Sequence, residues 1–204
     1  MSPTLSIVIT HPHHVKHEAE AIVALLDAGV SYVHVRKPGW TNDQVASLLA
    51  SIPTLYHPRL TVHYHHALSA HFGIGGLHHS RHHAVVDARN CRVSRSCHAL
   101  DEVRECNNQY DYLLLSPIFN SISKAHYQAK FEHDELREFL LGRMDDAPPV
   151  IALGGISVST APVARQLGFD GFALLGAVWC MQGDEVEVSQ SVSQYKQIVS
   201  AWMQ

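Results

Sequence analysis

Charge is scarce in this chain and basic runs are absent: 17% of the 204 residues are charged, the formal net charge is −4, and the pI is near 6.5. That balance gives no electrostatic reason to expect nucleic acid or an anionic membrane surface as a partner, and leaves small molecules as the expected ligands. Long hydrophobic runs are also missing. The apolar run Ser6–Thr10 close behind Met1 is too short for a signal sequence and lacks a basic lead, and no stretch approaches membrane-spanning length. A cytoplasmic location is therefore expected. Cysteine is sparse: Cys91, Cys97, Cys106 and Cys180 form no C-x-x-C pair and read as free structural thiols. No low-complexity linker or shift in composition divides the chain, so residues 1–204 read as one compact domain.

What the chain has in excess is histidine, with 17 residues grouped as His11/His13/His14, His63/His65/His66 and His78/His79/His82/His83. Around them, short apolar runs alternate with segments of helical period, the pattern of successive strand–helix units. Strands are expected at Leu5–Thr10, Tyr32–Arg36, Leu60–Val62, Gly76–His79, Arg92–Ser96, Tyr112–Ser116, Val150–Leu153 and Gly171–Leu175. Helices are expected at Val15–Ala28, Asn42–Ser51, Ala67–Phe72, Leu100–Cys106, Asp134–Met144, Val158–Leu167 and Ser189–Trp202, with Thr41 and Ser157 as caps. Residues 82–90 show no helical period and read as an extended crossover. Eight strands in this alternation make an α/β fold, a (β/α)8 TIM barrel, near the short end of the range for that architecture.

In such a barrel His11, Arg36-Lys37, His63–His66, His78-His79 and Cys97-His98 all follow strands and open on one mouth, where barrel enzymes collect their chemistry. The last two strands run into Gly154-Gly155 and into Leu175-Gly176. Glycine lets bare backbone N–H groups approach a ligand closely, so these turns are candidates for holding phosphate, aided by the N-terminal end of the helix expected after Ser157.

Several segments, in order, resemble the thiamine phosphate synthase and TenI superfamily. Ser96-Cys97-His98-Ala99-Leu100-Asp101-Glu102 is similar to that family's S-V-H-[ST]-x-E-E segment after strand five, and Tyr112–Lys124 (YLLLSPIFNSISK) to its G-x-V-F-x-T-x-[ST]-K loop after strand six. Val150–Ile156 and Gly168–Ala177 resemble its A-x-G-G-I and G-A-D-G-x-A-V-x-[SG]-[AG] segments. The resemblance implies a site for a thiazole phosphate, held near Gly154, Gly155, Leu175 and Gly176, with His34, His63, Ser96 and Ser123 lining it and Arg36 and Lys124 as cations suited to phosphate oxygens. It also implies magnesium as the cofactor if synthase activity is retained.

The chain departs from the family where magnesium carboxylates belong. An N-D pair at the end of strand three reads His63-Tyr64 here, and an H-L-G-Q-x-D segment after strand four reads His78-His79-Ser80-Arg81-His82-His83. Imidazole replaces oxygen ligands poorly for a hard ion. In the family's Q-x-R-x-K segment, His34 stands for glutamine and Pro38 for lysine, with Lys37 one residue early. Three functions follow as expectations. One is a TenI-like thiazole tautomerase, with His98 as proton shuttle near its working pH. Another is thiamine phosphate synthase, joining the thiazole to a pyrimidine methyl pyrophosphate. The third is a non-catalytic histidine-rich barrel, in which His63-x-His65 with His78 or His98 could hold zinc or nickel. No metal ligand is assigned otherwise. Trp40 and Trp179-Cys180-Met181 are candidates for a homodimer patch.

Overall fold

A computed structural model describes residues 4–80, 90–106, 109–120, 130–144 and 146–204. Eight parallel strands close into a barrel in chain order: β1 (Leu5–Ile9), β2 (Tyr32–Val35), β3 (Leu60–His63), β4 (Gly76–His79), β5 (Arg92–Cys97), β6 (Tyr112–Leu115), β7 (Val150–Leu153) and β8 (Gly171–Leu174). Closure is made by β8 on β1, with Leu5 opposite Gly171 and Val8 opposite Leu174. Every expected strand is present, within a residue or so at its ends. The chain is a (β/α)8 barrel.

Alternation along each strand separates two cores. Val8, Val33, Val35, Val62, Leu77, Leu113, Leu115, Val150 and Ala152 point outward and are sealed by the helices. Inside the barrel, Ile7, Tyr112, Leu114, Ile151 and Ala173 form a smaller apolar cluster with Leu5, Tyr32 and Leu153. That inner cluster comes mainly from β6, β7, β8 and β1. The opposite wall is polar, with His34, Thr61, His63, His78 and Ser94 all buried.

The helices are α1 (Glu18–Asp27), α2 (Asn42–Ala50), α3 (Leu68–Phe72), α4 (Leu100–Glu105), α5 (His133–Leu141), α6 (Ala161–Gln166) and α7 (Val188–Trp202). Thr41 caps α2 in a reciprocal capping box with Gln44, as its sequence suggests. Two starts differ from expectation by more than one residue. Helix α1 begins at Glu18, not Val15, because Lys16 is drawn into a bridge with Glu185 and His17 takes a left-handed φ of 61°. Helix α6 begins at Ala161, with Thr160 as its N-cap and no side-chain cap bond. Ser157 does not cap it: its hydroxyl meets Ser159 and Thr160, whose own hydroxyl donates to the Gly155 carbonyl at 2.8 Å. A six-residue α6 starting that late supplies no helix-end field at the glycine turn.

Two elements escaped sequence reading. A 3-10 turn, Thr54–Arg59, is held by the His57 ring, which bonds the Phe72, Leu49 and Ile52 carbonyl oxygens at 2.6–3.1 Å. A short hairpin, β9 (Met181–Gln182) with β10 (Glu185–Val186), carries the bridge to Lys16. The first and last helices pack together on this side. The hydroxyls of Tyr195 on α7 and Ser6 on β1 lie 2.9 Å apart, and Trp202 donates to Thr4 at 3.3 Å. No helix among the described residues is long and apolar enough to cross a membrane. The expected crossover over residues 82–90 lies outside the described residues except for Asn90.

Candidate active site

The C-terminal strand ends converge on one mouth, as the barrel requires. At the rim, His98 follows β5 and is exposed. Its Nδ1 lies 3.1 Å from the Ser116 carbonyl oxygen and 3.2 Å from the Ser116 hydroxyl, just past β6. A carbonyl oxygen can only accept, so the neutral ring carries its proton on Nδ1 and keeps a basic lone pair on Nε2. The loop is tied further: the His98 N–H donates to Glu102 at 2.6 Å, and Lys130 donates to the His98 carbonyl at 3.0 Å.

Across the mouth, the turn after β7 takes a backbone shape that favours glycine. Gly154 and Gly155 take φ of 99° and 67°, values that disfavour any side chain. The loop after β6 lies directly on them: a Cβ at Gly154 would sit 3.1 Å from Pro117, and one at Gly155 would meet the Asn120 carbonyl and lie 2.7 Å from the Phe119 Cβ. Phe119 N–H donates to the Gly154 carbonyl at 3.1 Å. Among the described residues, no protein acceptor takes the N–H of Gly155 or of Gly176. Strand-end amides that meet no described acceptor are suited to an anion.

The remaining strand-end residues divide between rim and interior. Arg36 is half-buried at the end of β2, with its backbone N–H on the Thr10 hydroxyl at 2.9 Å, and its charge is felt by both His63 and His78. Lys37 turns the other way and is fully buried. Its ammonium donates to both Glu18 oxygens, at 2.7 and 2.6 Å, and to the His11 and His13 carbonyls at 2.7 and 3.0 Å. Lys37 thus fastens the β1–α1 loop to β2 and is not a cation of the mouth.

His34 and His63 lie inside the barrel rather than on its rim. With His78 they are 0%, 5% and 2% exposed. His34 Nδ1 is 3.0 Å from His63 Nε2, and His34 Nε2 is 2.7 Å from the Tyr112 hydroxyl, so neither nitrogen of His34 is free for a substrate. His78 holds the Ser94 hydroxyl with Nδ1 and the Ser96 hydroxyl with Nε2, each at 2.8 Å, and stacks on His63 at 4.1 Å. Burial pushes His34 down to about 3 and holds His63 and His78 well below the usual imidazole range, with neighbouring histidines and arginines adding to the effect. All three rings are neutral at pH 7.

His63-x-His65 is not a ligand pair. Tyr64, with φ of 65°, follows β3 and turns His65 out to Asn42 at 2.6 Å, while His98 lies past the end of β5. His13 and His14 are exposed. Trp179 is not part of an exposed patch, because its ring is buried and donates to the Ile9 carbonyl at 2.8 Å. Ser123, Lys124, His82, His83 and the loop 121–129 lie outside the described residues. Sequence reasoning did not pair His34 with His78. Both point inward, from β2 and β4 on either side of β3, a relation visible only once strand register is known.

Residues 6–178 match the family model described as thiamine monophosphate synthase, TMP-TENI. The chain belongs to this family. It is 25% identical over 198 residues to a thiamine-phosphate synthase of Lysinibacillus sphaericus (strain C3-41), covering 90% of each chain. Among solved structures it is similar to the thiamine phosphate pyrophosphorylase of Bacteroides thetaiotaomicron, at 28% identity, 97% coverage of both chains and a TM-score of 0.78. The barrel also matches the thiamine phosphate pyrophosphorylase of Pyrococcus furiosus, at 19% identity, 97% and 96% coverage and a TM-score of 0.74, a likeness of fold. The family is one of enzymes of thiamine biosynthesis.

Magnesium, which the resemblance implies for a synthase, asks for oxygen ligands. At the ends of β3 and β4 the described residues offer imidazoles, and the buried carboxylate Glu18 is taken up by Lys37. Asp87 lies outside the described residues. The donor set of the described residues does not fit magnesium.

Proposed function

We propose that this chain is a TenI-like thiazole tautomerase, which aromatises a thiazole carboxylate phosphate by moving one proton. The observation that carries this reading is the hydrogen bond from His98 Nδ1 to the Ser116 carbonyl at 3.1 Å, which leaves Nε2 as a base at the rim. In this reading the substrate phosphate rests on the bare amides of Gly155 and Gly176, with Gly154 and Leu175 shaping the two turns. Arg36 meets the carboxylate or the phosphate as a two-pronged donor. His98 Nε2 takes a proton from the non-aromatic ring and returns it to a second ring atom, so atoms and charge balance without a co-substrate. Ser96, Ser123 and Lys124 are assigned to the same pocket, and the enzyme to the cytoplasm.

The test is to mix purified protein with the non-aromatic thiazole tautomer and follow aromatic absorbance. His98→Ala should slow turnover roughly a hundredfold, the usual worth of a positioned acid–base group. An unchanged rate would remove His98 from the chemistry.

A second reading is favoured by the names of the relatives: thiamine phosphate synthase, with any metal carried mainly by the substrate pyrophosphate. Thiamine phosphate formed from both substrates with magnesium present would establish it. No such product alongside rapid aromatisation would leave the tautomerase.

A further inference from the structure

We propose that His34, His63 and His78 form a binding site for a divalent transition ion of the zinc class, set inside the barrel beneath the mouth. One ring nitrogen from each residue lies within 4.8 Å of the others, and the three side chains come from adjacent strands, with His63 opposite His78 in the β3–β4 register. Tetrahedral zinc with nitrogen ligands at about 2.0–2.1 Å requires ligand atoms roughly 3.3 Å apart, so modest ring movements suffice.

The hydrogen bonds around the triad favour this chemistry. Ligating histidines are commonly oriented by a partner on the other ring nitrogen. Here the Tyr112 hydroxyl takes His34 Nε2 and the Ser94 hydroxyl takes His78 Nδ1, which leaves His34 Nδ1 and His78 Nε2 to face a shared centre with His63. The Ser96 hydroxyl, already 2.8 Å from His78 Nε2, stands where a fourth ligand is needed. An all-imidazole set suits zinc, cobalt, nickel or copper and disfavours magnesium and calcium. The rings need shed no proton on binding, since burial already keeps them neutral. Three local contacts have to give way: the His34–His63 hydrogen bond, the His78–Ser96 hydrogen bond, and the stacking of His63 on His78.

The test uses untagged full-length protein stripped with chelator, and reads binding rather than turnover, so its result is independent of the catalytic reading. Zinc titrated by calorimetry should bind at about one ion per chain, and cobalt should give the intense visible bands of tetrahedral nitrogen coordination. X-ray absorption of the zinc form should show a first shell of imidazole nitrogens. His78→Gln should abolish binding, and the milder Ser94→Ala, which removes only the orienting hydroxyl, should weaken it roughly tenfold. No zinc binding at micromolar concentration would overturn the proposal. So would an all-oxygen shell, or zinc retained by His78→Gln but lost when His11, His13 and His14 are replaced by alanine. If His78→Gln fails to fold, the wild-type spectra and Ser94→Ala decide.

Discussion

Metal-free protein should lose at least about 2 kcal/mol of folding stability between about pH 7 and pH 5, before any catalytic group is considered. His34, His63 and His78 stay neutral in the folded barrel because burial holds their proton affinity far below that of a solvated imidazole, His34 at about 3. In the unfolded chain the same rings protonate near their ordinary value of about 6.5. Below that value the unfolded state binds more protons than the folded one, so stability falls as pH drops, and keeps falling until the folded pKa values are reached. His34 alone contributes about 2 kcal/mol of this loss by about pH 5, and His63 and His78 act in the same direction. His79, pushed down to about 4 mainly by burial, adds to the same trend. Urea denaturation at a series of pH values measures this directly. A stability that is level from neutral pH to about pH 5 would mean that the rings are solvated or already charged in the native state.

Lys37→Ala should cost about 3–5 kcal/mol, because it strands a carboxylate in a place where water does not reach. Lys37 and Glu18 are 0% and 3% exposed at their side chains, with 2.6 Å between ammonium and carboxylate oxygen. Burial opposes the charge on both partners, raising the affinity of Glu18 for a proton and lowering that of Lys37, and their mutual attraction offsets it. Glu18→Ala should be comparably destabilising, since the ammonium would then keep the His11 and His13 carbonyls and the Trp40 ring but no counter-charge among the described residues. Replacing both with apolar residues, as in Lys37→Met with Glu18→Leu, should cost clearly less than the sum of the single changes. Denaturation of wild type, Lys37→Met, Glu18→Leu and the double variant closes the cycle, and additive losses would show that the pair is not coupled.

Much of the fold was legible because the signal for a parallel strand buried on both faces is simple: a short apolar run stopped by glycine or a polar residue. Val150–Leu153 and Gly171–Leu174 are of this kind. Where the reading missed, distant residues decided the local structure. The start of α1 is set by Glu185, far along the chain, and the 3-10 turn at residues 54–59 is held by the His57 ring reaching three carbonyls. The site shows the same division. His98 and the glycine turns could be placed from the order of motifs. The fate of Lys37 could not, since a cation beside a strand end looks the same in sequence whether it faces the mouth or a buried glutamate. The grouping of His34 with His63 and His78 likewise depends on which rows of side chains share a level inside the ring.

The bond between Trp202 and Thr4 brings the last helix to the first strand, and β8 is laddered to β1 as any neighbouring pair is. The ring of strands therefore has no privileged seam. A chain rejoined across that short gap and opened at another loop would still enclose the same lumen, so the order in which the units are written is separable from the circle they draw.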